Sequence, residues 1–159
     1  MNQENHIQGR TNSNIRLGLY YGDRLVSVMT FTKKNNNTWD LSRFCNILNT
    51  IIVGGASKLL NYFISNYNPQ EIISFESNDI SNGTLYNLLG FSADNQVTRS
   101  YWYIHKLDLR RYHRSNFSKL RLKKMGYDIN TKTESEIMSE LPYYKIYDCG
   151  HIKYTLKIT

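Results

Sequence analysis

The stretch that most constrains this chain runs from position 51 to position 63. There an apolar, β-branched run meets Gly54 and Gly55 and then changes to a helical pattern. Four residues of that pattern supply an apolar helix face: Leu59, Leu60, Tyr62 and Phe63. The two glycines let the backbone approach a ligand without a Cβ in the way. The amides just beyond them lack partners inside the helix and lie at the positive end of its dipole, where anions bind. The stretch therefore predicts either a plain strand-to-helix turn or a phosphate-binding loop.

The positive charge of the chain is concentrated in one segment. The chain has 20 basic and 13 acidic residues, a net charge of +7. Nine basic residues lie between positions 99 and 124: Arg99, Lys106, Arg110, Arg111, Arg114, Lys119, Arg121, Lys123 and Lys124. Asp108 is the acid in that segment, and the remaining 11 basic and 12 acidic residues nearly cancel. Such a block is typical of a contact with a polyanion such as nucleic acid, and otherwise of a solvated basic face.

Several classes of protein and site are disfavoured by composition. No apolar run reaches the roughly 18 residues that a membrane span requires, so we expect no membrane association. The polar N-terminus lacks the apolar core of a signal peptide, which predicts a cytoplasmic protein. Cys45 and Cys149 lie far apart without the spacing of a metal site, so we expect two thiols and neither a zinc site nor a disulfide.

Apolar periodicity predicts the order of the elements. Alternating residues at 15–20 and 25–31, joined by a tight turn, predict a β-hairpin. The elements that follow are a strand at 39–45, the glycine loop with a helix ending near Asn66, a strand at 71–76, a helix at 83–89 and a strand at 101–104. A short helix ending at Gly9 is a further prediction. This order predicts an α/β domain with a mixed sheet.

The composition shifts after Leu109. A helix is predicted over 117–125 with Gly126 as its stop, and the capping box at 133–136 predicts a second helix to about Leu141. Strands at 144–147 and 152–158 then form a predicted closing hairpin. The sequence therefore predicts two parts, a domain over 1–108 and a small, basic helix-helix-hairpin appendage over 109–159.

Two segments together resemble the GNAT superfamily of acyl-CoA-dependent N-acyltransferases. The run from Gly54 to Leu60 resembles the glycine-rich pyrophosphate loop of that family. The run from Leu85 to Phe91 resembles its second motif, in which a tyrosine is followed by Gly-Phe. The resemblance covers about 15–104 and implies a GNAT-like mixed, mostly antiparallel sheet flanked by helices, with a shortened N-terminal part.

The resemblance also implies an activity and a set of site residues. The cofactor is acetyl-CoA or another acyl-CoA, and Tyr86 is the residue that protonates the departing thiolate. The cofactor-binding positions implied are Phe44, Cys45, Val53, Gly54, Gly55, Ala56, Ser57, Lys58 and Asp79. The resemblance also implies that a splayed strand at about Phe44 and Cys45 supplies a backbone amide for the acyl oxygen. The family's usual asparagine is replaced by Asp79 here, and its usual arginine or glutamine by Ile51.

A second resemblance is to the C-terminal domain of phage homing-endonuclease-like mobile-element proteins. Five segments carry it: 6–9, 43–45, 53–59, 111–115 and 146–150. It implies a phage-encoded protein in the host cytoplasm that binds nucleic acid, with the nine basic residues above as the contacts. Three functions remain open: acyl transfer to an amine on or near nucleic acid, DNA binding without catalysis, and recruitment of another protein.

Overall fold

The computed structural model of the protein describes residues 11 to 158. Within them the strands are β1 (Ile15–Tyr21), β2 (Arg24–Lys33), β3 (Thr38–Asn46), β4 (Glu71–Ser77), β5 (Ser92–Thr98), β6 (Tyr101–His105), β7 (Arg111–His113), β8 (Tyr143–Tyr147) and β9 (His151–Lys157). The helices are α1 (Gly55–Tyr67), α2 (Thr84–Leu88), α3 (Lys119–Lys124) and α4 (Glu134–Glu140), with a 3-10 helix over Arg114–Phe117. The predicted helix ending at Gly9 lies outside the described residues.

The strands form two sheets, and the chain divides into two compact units. A six-stranded sheet has the order β1-β2-β3-β4-β9-β5, and a three-stranded sheet has the order β7-β6-β8. The first unit comprises residues up to 97 together with 152–159, and the second unit comprises 98–151. The predicted α/β class is confirmed: the first unit is a mixed, mostly antiparallel sheet flanked by helices.

Helix α1 covers the start of the large sheet with one apolar face. Leu59, Leu60 and Phe63 are buried there, and the Phe63 ring stacks on Phe31 of β2 with centroids 3.6 Å apart. Each such side chain contributes about 1.5–3 kcal/mol when it leaves water. Tyr62, which the sequence assigned to the same face, is 56% exposed, because the helical step turns it away from its neighbours.

The small unit packs its helices on one face of the three-stranded sheet. Tyr103 of β6 is buried with Leu122 of α3 and with Ile137 and Met138 of α4. The predicted capping box is present at the start of α4: the Thr133 side chain accepts from the Glu136 amide, and the Glu136 side chain accepts from the Thr133 amide.

The structure divides the chain differently from the predicted boundary at position 108. β6 pairs with β7 and β8, so the chain leaves the large sheet at about Val97. The predicted closing hairpin is wrong, since β8 lies in the small sheet and β9 lies between β4 and β5 in the large one. The second unit is thus an insertion between two strands of the first and not a C-terminal appendage. Among the described helices, none has the length and apolarity needed to cross a membrane.

Candidate active site

Strands β3 and β4 run parallel and separate after three residue pairs. The register pairs Thr38–Asp40 with Glu71–Ile73, although both strands continue beyond it. Where the ladder ends, the Ser74 hydroxyl donates to the Leu41 carbonyl oxygen at 2.8 Å, in place of a backbone partner. Beyond this point the two strands line a cavity of about 370 Å³, here called the splay cavity.

A β-bulge sets the edge of β3 that faces the splay cavity. Thr30 pairs with Arg43 and Phe31 pairs with Leu41, so Ser42 is an extra residue on β3. The Ile47 amide donates to Val26 of β2 at 2.9 Å. Because alternate residues of a strand direct their amides to opposite sides, the Phe44 amide points toward β4, where the ladder has ended.

Tyr86 of α2 lines the splay cavity. Its oxygen lies 3.0 Å from Ser74 Oγ, and its ring stacks on the buried Tyr154 with centroids 4.6 Å apart. Burial raises the pKa of Tyr86, the Ser74 hydrogen bond acts in the opposite direction, and the Glu76 and Asp40 charges raise the pKa further. The hydroxyl therefore keeps its proton at neutral pH and is available as an acid.

A buried carboxylate fixes the position of α2 beside the cavity. Glu76 is only 3% exposed and accepts a hydrogen bond from the Gly83 amide at the start of the helix. Its charge also raises the pKa of Tyr154, after the larger effect of burial and together with a hydrogen bond between the two side chains. Glu76 thus ties β4, β9 and the helix of Tyr86 together.

The Gly54 loop leads into α1 as the sequence predicts, but the apolar run 51–53 before it belongs to no strand. Gly54 is the N-cap of α1, with a φ of 71° that favours glycine, and no side chain among the described residues caps the helix. The Gly55 amide donates to Ile52 and the Lys58 amide donates to Gly54. The amides of Ala56 and Ser57 lie between these two, in the first turn, where the helix supplies no acceptor.

The structure distributes the predicted cofactor-binding residues over two cavities. Phe44 and Cys45 line the splay cavity, together with the predicted catalytic acid, Tyr86. A second cavity of about 410 Å³, here called the loop cavity, is lined by four others: Val53, Gly54, Gly55 and Lys58. Asn46, the last residue of β3, lines the first cavity, and the next residue, Ile47, lines the second.

Three predicted residues line neither cavity. Ala56 is half-buried against the core, Ser57 is exposed, and Asp79 lies on the exposed loop after β4.

The Cys45 thiol is buried, and burial raises its pKa, so it is protonated and a poor nucleophile at neutral pH.

The predicted nucleic-acid contacts all lie in the small unit and are exposed, but they do not share one face. Four are on or beside α3, on the helix-covered side of the small sheet: Lys119, Arg121, Lys123 and Lys124. Arg111 and Lys106 instead lie against rings, namely Trp102 and Tyr144. Arg114 lies over Tyr101 at 5.3 Å. The remaining two, Arg99 and Arg110, lie just before β6 and β7.

Sequence reasoning missed four residues of the splay cavity and its support: Arg43, Ser74, Glu76 and Tyr154. A signal was present on β4, where the polar residue lies on the buried face and the apolar residue on the exposed face. Glu76 is buried while its neighbour Phe75 is 54% exposed. A polar residue on the buried face of a strand has to be satisfied by partners, and here those partners form the site.

Comparisons with known proteins add a structural neighbour. No protein-family model and no curated protein matches the chain at a significant level. Among solved structures, the chain is similar to a Bacillus subtilis acetyltransferase in complex with CoA. The TM-score is 0.48 and the identity 14%, over 88% of this chain and 74% of that one. A similarity at this level carries no conclusion about the reaction of this chain.

Proposed function

We propose that the protein is an acyl-CoA-dependent N-acyltransferase that transfers an acyl group to an amine. The observation that carries this proposal is the opening between β3 and β4, which Tyr86 lines. A narrow cleft between parallel strands admits an extended thiol-bearing arm. Its walls include the apolar, half-exposed Phe75 and Ile80 as well as polar backbone.

The loop at the start of α1 fits the diphosphate of such a cofactor. The amides of Ala56 and Ser57 have no side-chain cap, and Lys58 adds a positive charge beside the glycines. Donors of this kind, at the positive end of a 13-residue helix, stabilise a phosphate group. We infer that the diphosphate lies on these amides, beside the wall of the loop cavity that Gly54, Gly55 and Lys58 form, and that the splay cavity holds the acyl end.

The residues of the splay cavity supply what the reaction needs. Bound acyl-CoA provides a thioester, in which the acyl carbon accepts the amine nitrogen and the carbon–sulfur bond then breaks. The Phe44 amide stabilises the negative charge that develops on the acyl oxygen. Tyr86 donates its proton to the departing sulfur, and the amine loses its proton to water. The Ser74 hydroxyl has one proton, and it can rotate so that it donates to the tyrosinate oxygen and no longer to the Leu41 carbonyl oxygen.

Titration calorimetry with acetyl-CoA tests this proposal. We expect saturable binding and a rise in the thermal midpoint. Ser81→Phe fills the splay cavity and should abolish binding, whereas Ser65→Phe, on the exposed side of α1, is the matched control. If the wild-type protein binds no acetyl-CoA, the enzymatic proposal fails.

A second candidate function is DNA binding without catalysis, as the resemblance to phage homing-endonuclease-like proteins suggests. The supporting observation is that all nine predicted contacts are exposed on one unit. Duplex binding measured against salt concentration tests it. Charge contacts predict a steep loss of affinity as salt rises, and replacing Arg110, Arg111 and Arg114 by alanine should flatten the slope. An absence of binding to duplex at low salt would exclude this function.

A further inference from the structure

We propose that the face of the small sheet opposite its helices binds single-stranded nucleic acid. Bases would stack on Trp102 and Tyr144, and phosphates would contact Arg111 and Lys106. This inference does not depend on the acyl-transfer proposal, because every residue involved belongs to the unit formed by residues 98–151.

The strand register defines this face. Trp102 pairs with His113 on one side and Ile146 on the other, and Ile104 pairs with Arg111 and Tyr144. Paired residues of antiparallel strands point to the same face, so these six side chains form two rows of three across the sheet. The other face carries Tyr103, which is buried under the helices. The stacking face is defined here as these six residues together with Lys106.

Aromatic rings and cations alternate on the stacking face. The Arg111 guanidinium carbon lies 4.0 Å from the Trp102 ring centroid, and Lys106 Nζ lies 5.2 Å from that of Tyr144. The His113 ring meets the Trp102 ring edge-on at 4.8 Å. Tyr144 is 58% exposed. Trp102 and Tyr144 are diagonal neighbours on adjacent strands, roughly 7–8 Å apart.

The charge of the unit favours a polyanion as the occupant. It contains 11 basic and six acidic residues. Each acidic side chain already has a hydrogen-bond partner inside the protein: Asp108, Asp128, Glu134, Glu136, Glu140 and Asp148. Within residues 11–158, the ion pairs that carboxylates form with this unit's Lys and Arg involve only Arg110 and Lys132. The excess positive charge therefore faces solvent.

The arrangement favours unpaired bases over a duplex. Bases of a duplex are stacked on one another and offer a protein only their edges and the phosphates. A sheet with one exposed ring, Tyr144, and one half-buried ring, Trp102, between cations instead matches the requirements of single strands, which need stacking platforms beside a positive track. The cations on α3 lie on the other side of the sheet and remain available for non-specific contacts.

Fluorescence anisotropy with labelled oligothymidylate, oligouridylate and a duplex of equal length tests the proposal. We expect a single strand to bind more tightly than the duplex at the same salt concentration. Oligodeoxyuridylate, which differs from oligouridylate only in its sugar, identifies the preferred sugar. Trp102→Leu and Tyr144→Leu should each weaken single-strand binding by about tenfold, while Trp102→Phe and Tyr144→Phe keep a ring and should retain most of it.

Controls separate stacking from charge and from folding. Tyr62→Leu and Lys157→Ala change an exposed ring and an exposed charge in the other unit and should have no effect. In a Trp39→Phe background the remaining tryptophan is Trp102, and its fluorescence should be quenched by the oligonucleotide. The exposed Tyr144 keeps the test valid if Trp102→Leu fails to fold. Equal or tighter binding of duplex, or leucine variants that bind like the wild type, would overturn the proposal.

Discussion

Tyr86 has two hydrogen-bonding states that the surrounding residues make possible. Ser74 can donate to the Leu41 carbonyl oxygen while it accepts from the tyrosine. Once Tyr86 has lost its proton, Ser74 can donate to it instead, since a hydroxyl rotates freely. The Arg43 charge, like the Ser74 hydrogen bond, lowers the pKa of Tyr86, against the larger effect of burial. The tyrosinate then takes up the proton that the amine released to water, and Ser74 returns to Leu41 without rearrangement of the backbone.

Tyr86→Phe should lower kcat of acyl transfer by about 100-fold, because general acid catalysis contributes at least that much in most enzymes. The affinity for acetyl-CoA should change little, since the ring remains on Tyr154. Steady-state kinetics with an amine acceptor measures this, and Tyr62→Phe serves as the control for loss of an exposed hydroxyl. Unchanged kcat in Tyr86→Phe would remove this residue from the mechanism.

The raised pKa of Tyr103 predicts that the protein loses stability at alkaline pH. Burial raises its pKa well above the ordinary value, and Glu134, 3.1 Å from its hydroxyl, raises it further. The folded state therefore keeps a proton that the unfolded chain releases. Its contribution is complete below about pH 10 and is lost as the pH rises toward the raised pKa. Urea unfolding at several alkaline pH values should show the free energy of unfolding fall, and Tyr103→Phe should reduce that slope. An identical slope in Tyr103→Phe and in the wild type would contradict this assignment.

Helix α2 is only five residues long, and its position depends on the glycine before it. Gly83 has a φ of 74°, and a methyl group there would overlap the Tyr154 hydroxyl and lie 3.1 Å from Glu76 Oε2. Gly22, in the β1–β2 turn, also has a positive φ of 57° but has open space around it. Replacing either glycine strains the backbone, but only at Gly83 would the new side chain also meet crowded surroundings.

Gly83→Ala should therefore destabilise the protein by about 2 kcal/mol more than Gly22→Ala, the difference being the cost of overpacking. The Gly22 variant should lose about 1–2 kcal/mol from its left-handed backbone alone. Urea denaturation of both variants measures the difference. If the two losses are equal, the Glu76–Tyr154 contact does not position this helix.

Local signals predicted the elements that are determined locally. The β1–β2 hairpin, the Gly54 turn into α1 and the Thr133 capping box depend on residues close together in sequence, and all three are found. The pairing of β9 with β4 and β5 depends on contacts across more than 50 residues, for which a single sequence has no signal. The separation of β3 from β4 was implied only by the family resemblance. In the structure, Ser74 lies where the two strands separate, and its hydroxyl donates to the Leu41 carbonyl oxygen in place of a backbone amide of β4.

At the scale of the whole chain, one unit with a six-stranded sheet is interrupted in sequence by a second unit with a three-stranded sheet. Each unit has its own buried cluster, one around Phe31 and Phe63 and the other around Tyr103 and Leu122. The shift in composition after Leu109 indicated a second unit but not its start, because β6 is as apolar and aromatic as a core strand. The basic block was visible in sequence, whereas the separation of its cations onto two sides of the small sheet required the strand register.

The chain enters and leaves the inserted unit at one hydrogen-bonded pair. The Asp148 amide donates to the Ser100 carbonyl oxygen at 3.0 Å, and the Ser100 amide donates to Asp148 Oδ1 at 2.8 Å. Because these ends are adjacent, an Asn-Gly turn in place of residues 101–147 closes the gap with the geometry of a tight hairpin. We expect the shortened protein to unfold cooperatively and to retain acetyl-CoA binding, while its affinity for oligothymidylate is lost. Thermal unfolding followed by circular dichroism, with both binding assays, measures this. A shortened chain without a cooperative transition would show that the large sheet needs the insertion, and retained oligothymidylate binding would place the nucleic-acid contacts outside it.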